Sequence, residues 1–124
     1  MPENTTYQGH IRVMPVTILS GAAEPTTGVD LGECRLVGIT LPAEFDGTAM
    51  TFTVADSYAG TYRTLHNGTA NVSLTVAASR YIGFSTEISE HFKGIRFVKP
   101  VSGTNQSTTD TIIYLHLLPV KLGL

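Results

Sequence analysis

Apolar residues in this chain alternate with polar ones over short runs, which is the pattern of strands that bury one face. Three runs show it most clearly: Val37, Ile39 and Leu41; Met50, Phe52 and Val54; and Val72, Leu74 and Val76. The first two runs are separated by residues 42–48, where Asp46-Gly47 is a dipeptide that accepts positive φ in a tight turn. The pattern predicts strands at 34–41, 49–54 and 71–76, with these apolar residues directed inward.

Five further strands and one helical turn are predicted from the rest of the chain. Residues 10–19 are apolar around Pro15, and because proline cannot donate to a ladder, this strand should lie at a sheet edge or bend between sheets. Residues 85–93 allow helical spacing, since Ile88 and Phe92 lie four apart behind a Ser or Thr cap. The other strands are predicted at 61–65, 80–84, 95–100 and 111–120.

This arrangement of short strands, with frequent turn signals and almost no helix, predicts an all-β fold. We expect a two-sheet sandwich, jelly-roll-like, of about eight short antiparallel strands with one short helical turn. A chain of 124 residues fits one domain. The polar residues 1–10 lack periodicity and are predicted to form an N-terminal arm, and residues 11–124 are predicted to form a single β-sandwich domain.

The last predicted strand is apolar on both faces. Ile112, Tyr114 and Leu118 share one parity, and Ile113, Leu115 and Leu117 share the other. Such a strand is either covered on both sides within the fold or lies in an interface. The sequence leaves two interpretations open: a central core strand with Tyr114 and His116 near its edges, or an oligomer contact.

Charge and hydropathy argue against two classes of partner. The net charge is −2 and the eight Lys and Arg residues are scattered singly, so they form no basic stripe for a run of phosphates. We therefore expect no nucleic-acid partner. Apolar runs fall short of the ~20 residues that span a bilayer. The first ten residues lack the layout of a signal peptide. We therefore expect synthesis in a cytoplasm and no membrane partner.

The sequence predicts no catalytic, cofactor or metal site. Its four histidines fall in different segments, without another ligand type at metal-binding spacing. Glu87, Glu90 and His91 share one short turn, but such a group is usually a solvated surface. Neither a glycine-framed serine nor a phosphate-binding glycine loop is present. The lone Cys34 heads an apolar strand, which favours a buried small hydrophobe.

Four stretches share a particular rhythm of strands and turns. They are an apolar strand with an LPA turn at Leu36–Ala43, a TFTV strand at Thr51–Val54, the VAASRYI segment at Val76–Ile82 and the FKGIRFVKPVSGT segment at Phe92–Thr104. Together they resemble a group of small virion proteins of tailed bacteriophages. The resemblance covers residues 31–120 and includes no catalytic motif.

Proteins of this group are similar to head decoration, or cement, proteins. The resemblance implies a non-enzymatic protein of the capsid exterior, made in the host cytoplasm, which binds the major capsid protein and stabilises the head without a cofactor. It also implies a homo-oligomer, either a dimer or a trimer. The candidate partner contacts are Tyr7, Arg12, Arg80, Arg96, Lys99, Ile113, Leu115, Leu117 and Leu122.

Two other functional classes stay open from the sequence. A β-sandwich can also serve as a receptor- or glycan-binding module of a phage tail or fibre, because fold does not define function. Exposed tyrosines gathered in one set of loops would favour that class, and Tyr58 and Tyr62 are the nearest pair in the chain. A small enzyme ranks last, since no acid, base or nucleophile constellation is evident.

Overall fold

The computed structural model describes residues 12–107 and 109–119, which contain eleven strands and one short helix. In chain order these are β1 (Arg12–Ile18), β2 (Val29–Asp30), β3 (Cys34–Leu41), β4 (Ala49–Ala55), β5 (Arg63–Thr64), β6 (His66–Asn67), β7 (Ala70–Asn71), β8 (Leu74–Thr75), β9 (Arg80–Gly83), α1 (Thr86–Glu90), β10 (Phe97–Ser102) and β11 (Thr111–Pro119). The predicted arm, residues 1–10, lies outside the described residues.

The strands form two antiparallel sheets and one small ribbon. Sheet A has the order β1-β11-β3-β9, and sheet B has the order β2-β10-β4-β5. Strand β8 also pairs with β4, further along the edge that β5 occupies. Strands β6 and β7 pair only with each other in the described part of the chain, as a ribbon that interrupts this edge strand.

The connectivity is that of a jelly roll. If β5 and β8 count as one interrupted edge strand and the ribbon is set aside, the chain has eight strands. Their order in sheet A is then first, eighth, third and sixth, and their order in sheet B is second, seventh, fourth and fifth. This arrangement joins two Greek keys across a sandwich. The predicted fold class is therefore confirmed.

Side chains from the inner faces of both sheets meet in one core. Phe52 of β4 is fully buried and packs edge-on against Phe92, with ring centroids 4.9 Å apart. Val72, Leu74 and Val76 are all buried, as their alternation predicts, although only Leu74–Thr75 of this segment forms strand pairing. Other fully buried side chains come from β1, β3 and β11: Ile18, Leu36, Ile39, Leu41, Ile113, Leu115 and Leu117.

A β-bulge in β3 changes which residues face this core. Leu36 pairs with Leu117 and Gly38 pairs with His116, so Val37 is an extra residue opposite a single step of β11. Leu36 and Ile39 both point inward as a result, while Val37 is only partly buried. The prediction that Val37 shares the inward face of Ile39 and Leu41 is therefore wrong, because the bulge reverses the parity of the strand.

Two prolines sit in strands where their missing N–H groups cost no ladder bond. Pro15 lies in β1, which is an edge strand of sheet A in the described part of the chain, as predicted. Pro100 lies in β10, between β2 and β4. Alternate N–H groups of a strand point to opposite sides, and the Ser102 N–H donates to the Ala23 carbonyl on the side away from β4. Pro100 therefore faces the same side, beyond the short pairing of β2.

The predicted helical segment is a single turn of helix. The Ser85 side chain caps α1 by accepting a hydrogen bond from the Ile88 N–H at 3.3 Å. Gly94, at φ +83°, follows this turn before the chain enters β10. The helical turn places Phe92 in the core, where it contacts Phe52.

Candidate functional site

The outer face of sheet A presents an apolar surface that the described chain leaves uncovered. The ladder registers align the outward residues in rows, because residues directly opposite each other in a sheet share a face. We call this surface the A face and define it by ten outward residues of β1, β3, β9 and β11, leaving out the outward pair Arg35 and Leu118 at its edge: Val13, Pro15, Thr17, Gly38, Thr40, Tyr81, Gly83, Ile112, Tyr114 and His116.

Large apolar side chains are exposed mainly on the A face. Tyr81 is 71% exposed, Val13 is 51% exposed, and Ile112 and Tyr114 are each 42% exposed. These are four of the six large apolar residues that are exposed in the described part of the chain. Contiguous exposed apolar patches on a protein surface usually mark a site of interaction.

The A face carries no formal charge at neutral pH. None of its residues is Asp, Glu, Lys or Arg. Arg35, the nearest outward-facing cation on β3, is held at the rim by an ion pair of 2.9 Å with Glu90 of α1. The surface is therefore apolar and carries no charge apart from this ion pair at its edge.

His116 lies at the centre of the A face, almost completely buried. Its Nε2 and the Thr40 Oγ1 are 2.7 Å apart, and its Nδ1 and the Tyr81 hydroxyl are 3.3 Å apart. Tyr81 reaches this position from β9 across β3, so that the two ring centroids lie 4.6 Å apart. This burial lowers the pKa of the His116 imidazole below its ordinary value.

Two glycines lie beside these rings. Gly38 and Gly83 are paired across β3 and β9, and Gly38 is buried whereas Gly83 is exposed. At Gly38 the backbone approaches closely, since an added Cβ would lie 2.9 Å from the Ile82 carbonyl oxygen. At Gly83 an added Cβ would meet no atom within 4 Å. The A face thus has an exposed tyrosine, Tyr81, that packs on His116, and an exposed glycine, Gly83, two residues further along the same strand.

The outer face of sheet B is covered by the protein's own loop. Phe97 points outward from β10 but is only 8% exposed. Tyr58 packs edge-on against it at 6.1 Å, while the Tyr62 hydroxyl donates to the Tyr58 carbonyl at 3.0 Å. Lys99 lies over the Tyr62 ring at 4.6 Å from its centroid. The two outer faces therefore differ within residues 12–107 and 109–119, where a loop covers sheet B and no described segment covers sheet A.

Three of the predicted partner contacts are corrected by the structure. Ile113, Leu115 and Leu117 are at most 1% exposed, because their parity of β11 faces the core between the sheets. The opposite parity, with Ile112 and Tyr114, is the exposed one. Period-two alternation separates the two sets but does not say which one the second sheet covers, and this is why the sequence missed the A face.

Among the predicted basic contacts, two are already paired within the protein. Arg96 donates to both carboxylate oxygens of Asp30, at 3.1 and 3.2 Å, and this guanidinium holds the pKa of Asp30 below its ordinary value. Lys99 lies 3.6 Å from a carboxylate oxygen of Glu24, and its side chain is only 13% exposed.

Two of the remaining predicted contacts, Arg80 and Arg12, lie in the described part of the chain, on different strands. Arg80 is exposed at the start of β9, and Arg12 begins β1 with its Nη1 3.9 Å from the Cys34 sulfur. Cys34 itself is buried, as predicted. Tyr7 and Leu122 lie outside the described residues. The predicted contacts that the structure describes therefore do not form one site.

One surface groove of the described chain contains three ionisable side chains. A surface groove of about 560 Å³ runs between the 56–63 loop and the 94–96 turn. Its ionisable residues are Asp56, Arg63 and Arg96. Within residues 12–107 and 109–119, no three His, Cys, Asp or Glu side chains are grouped closely enough to hold a metal ion. No helix in the described residues is long and apolar enough to cross a membrane.

Comparison with protein-family models, with curated proteins and with solved structures gave no match for this chain.

Proposed function

We propose that this protein is a non-enzymatic structural protein of a tailed-bacteriophage virion, which decorates the outside of the capsid and stabilises the head. The observation that carries the proposal is the uncharged, apolar A face on a rigid sandwich whose other outer face is covered internally. A surface of this kind suits stable protein–protein contact.

Two further features support this role. The sequence resembles small phage virion proteins over residues 31–120, and a jelly roll is a frame that viral capsid proteins use repeatedly. A decoration protein acts through many weak contacts repeated over a lattice. In such a protein, shape and apolar area provide the affinity and no catalytic group is required.

The tyrosines do not favour the alternative of a glycan-binding module. Tyr62 is partly buried against Lys99, and the Tyr58 ring packs on Phe97. These contacts hold the loop against sheet B. Tyr81 and Tyr114 belong to a sheet surface and form no loop cluster with Tyr58.

The test is binding to heads that lack this protein. Purified heads are incubated with increasing amounts of the full chain, and the bound protein is counted relative to the major capsid protein by quantitative mass spectrometry. We expect saturation at a fixed ratio, with hundreds of copies per head, and a higher temperature of DNA release from the decorated heads.

Copy number in purified virions separates the alternatives. Hundreds of copies per particle support decoration. A handful per particle contradicts it and assigns the protein to the tail or fibre, and complete absence from virions contradicts both assignments.

A further inference from the structure

We infer that Asn67 is a modification site, where the Gly68 backbone nitrogen attacks the side-chain amide and the asparagine becomes aspartate or isoaspartate. The reaction needs no enzyme and does not depend on the proposed capsid role. Three features of the β6–β7 ribbon favour it: the glycine that follows Asn67, the N–H group of that glycine and the small size of the ribbon.

The reaction rearranges bonds between two adjoining residues and consumes only water. The Gly68 nitrogen gives up its proton and bonds to Cγ of Asn67, while the bond from Cγ to Nδ2 breaks and ammonia leaves. Water then opens the cyclic imide at either carbonyl, which yields aspartate or isoaspartate. Either product has a carboxylate in place of the amide, which adds one negative charge to the formal net charge of −2.

The first feature is that the residue after Asn67 has no side chain. A Cβ at this position would restrict the backbone rotation that brings the nitrogen to Cγ. Gly68 has φ at +68°, in the left-handed region that glycine adopts without strain. Apart from its two neighbours in the chain, no atom lies within 4 Å of the place where that Cβ would be. The surroundings of Gly68 are therefore open.

The second feature is the hydrogen bonding of the attacking nitrogen. Gly68 lies at the tip of the ribbon, and its N–H donates no hydrogen bond to any described residue. An N–H that already donates to a carbonyl must give up that bond before its nitrogen can attack. The Gly68 nitrogen has no such bond to break within the described structure.

The other asparagines of the described chain precede nitrogens that are held. Asn71 and Asn105 are exposed, as Asn67 is. The N–H of Val72 and that of Gln106 each donate to a backbone carbonyl, at 2.9 and 2.8 Å. Both of these following residues are also buried. Exposure is therefore shared by the three asparagines, and the residue that follows distinguishes Asn67.

The third feature is the small size of the ribbon. Its pairing consists of His66 with Asn71 and Asn67 with Ala70, and all four residues are exposed. Asn67 must leave its extended conformation for Cγ to reach the Gly68 nitrogen, so this pairing has to open. A two-stranded hairpin is marginally stable by itself in water, and local opening of such a segment costs little free energy.

The experiment follows the three asparagines of the described residues in the folded full chain, incubated in mildly alkaline buffer. Fragmentation mass spectrometry of proteolytic peptides measures the loss of each amide over time. We expect Asn67 to react while Asn71 and Asn105 keep their amides. The rate at Asn67 should be within about tenfold of its rate in the urea-unfolded chain, because local opening of the ribbon costs little.

Asn67→Gln is the test variant, because its longer side chain disfavours the cyclic imide. It should lose the acidic species that accumulates in the wild-type protein and is separated by ion-exchange chromatography. Asn71→Gln is the matched control, since Asn71 is an exposed asparagine of the same ribbon, and it should form the acidic species as the wild type does. Asn67→Asp should elute with that species from the start.

An Asn67 amide that stays intact in the folded protein overturns the inference, and its loss in urea alone would show that the ribbon protects it. Equal rates at Asn67 and Asn71 in the folded chain also overturn it, as does an acidic species that still forms in Asn67→Gln. Circular dichroism checks that each variant is folded, and the wild-type peptides alone test the inference if a variant does not fold. No capsid is present in this measurement, so its outcome is separate from that of head binding.

Discussion

At the scale of single residues, His116 stands out because a titratable ring is enclosed on an otherwise uncharged surface. Its neighbours across the face are Thr40 of β3 and Tyr81 of β9, each within hydrogen-bond distance of one ring nitrogen. Neither neighbour carries a negative charge that would favour the imidazolium. The folded protein therefore favours the neutral ring.

This preference predicts a loss of stability in mild acid. The pKa of His116 is lowered in the folded state, so below about pH 6.5 the unfolded chain binds a proton that the folded chain does not. The contribution of the neutral His116 ring to the free energy of unfolding is therefore fully present above that pH. It is lost as the pH falls through the pKa of the folded state. Urea unfolding of wild type and His116→Gln, at a series of pH values from neutral into mild acid, measures this change in the free energy of unfolding.

His116→Gln cannot titrate and keeps a polar group near Thr40, so its stability should change less with pH. Equal pH dependence in the two proteins would show that His116 does not contribute to it. The ring resonances of His116 in an NMR titration give an independent reading of the direction.

Gly28 is a second residue that determines a local structure, because its lack of a side chain leaves room for Tyr62. A Cβ at this position would lie 2.6 Å from Cζ of Tyr62 and would also overlap its hydroxyl. Gly28→Ala should therefore displace Tyr62 from the cover of sheet B and lose its contact with Lys99. We expect a cost of roughly 1–3 kcal/mol, measured by urea unfolding.

Gly83→Ala is the matched control for this substitution, because an added Cβ at Gly83 meets no atom within 4 Å. It should be neutral or slightly stabilising. In the Tyr62→Ala background the cost of Gly28→Ala should largely vanish. A cost that persists in that background would rule out the clash as its cause.

At the scale of elements, the 103–110 loop is held to the 42–48 connection by one buried amide. The Gln106 Oε1 accepts from the Asp46 N–H at 2.9 Å, and its Nε2 donates to the Asp46 carbonyl at 2.9 Å and to the Thr104 carbonyl at 3.2 Å. The Asp46 carboxylate in turn accepts from the backbone and hydroxyl of Ser107, which lowers the pKa of Asp46.

Gln106→Glu keeps the shape of the side chain but replaces the amide N–H donor with a carboxylate oxygen. That oxygen is an acceptor, and it would face the carbonyl groups of Asp46 and Thr104. We expect a cost of at least ~1–3 kcal/mol in the free energy of unfolding. Burial raises the pKa of the new carboxyl in the folded state, so the free energy of unfolding of Gln106→Glu should fall as the pH rises. Gln106→Met, which removes the amide without adding a titratable group, should be destabilised without that pH dependence. If Gln106→Glu were as stable as wild type, the hydrogen bonds of the Gln106 amide would not contribute to stability.

Much of the strand arrangement could be predicted from local pattern. Strand β3 has the predicted bounds, β4 and β9 each differ from prediction by one residue at an end, and β11 begins at the predicted residue. Alternation identified Val72, Leu74 and Val76 as buried, since period-two burial is a local property. The two-residue strand β2 was missed, because Val29–Asp30 is too short to show any period.

The structural features that could not be predicted from the sequence depend on contacts between segments distant in the chain. The bulge at Val37 arises where β3 pairs with β11, so its own residues carry no sign of the parity change. The exposure of Ile112 and Tyr114 likewise follows from which side of β11 the second sheet covers. The A face, and with it the candidate site, therefore became visible only in the folded chain.

At the scale of the whole molecule, stability should be distributed unevenly. Strand β11 pairs with β1 on one side and β3 on the other, whereas the β6–β7 ribbon pairs only with itself in the described structure. Amide hydrogen exchange should therefore be slowest in β11 and fastest in the ribbon. Mass spectrometry of the exchanging protein measures both, and similar rates in the two segments would contradict this distribution.

The pairing of β1 with β11 also brings the two ends of the described chain together, since Arg12 lies opposite Leu117. A short linker from residue 119 to residue 12 would close the polypeptide into a ring without moving either strand. New termini can then be opened at Asn67-Gly68, between β6 and β7, where all the residues are exposed. The molecule is thus suited to circular permutation, in which the spatial neighbours of each strand are kept while its place in the genetic order changes.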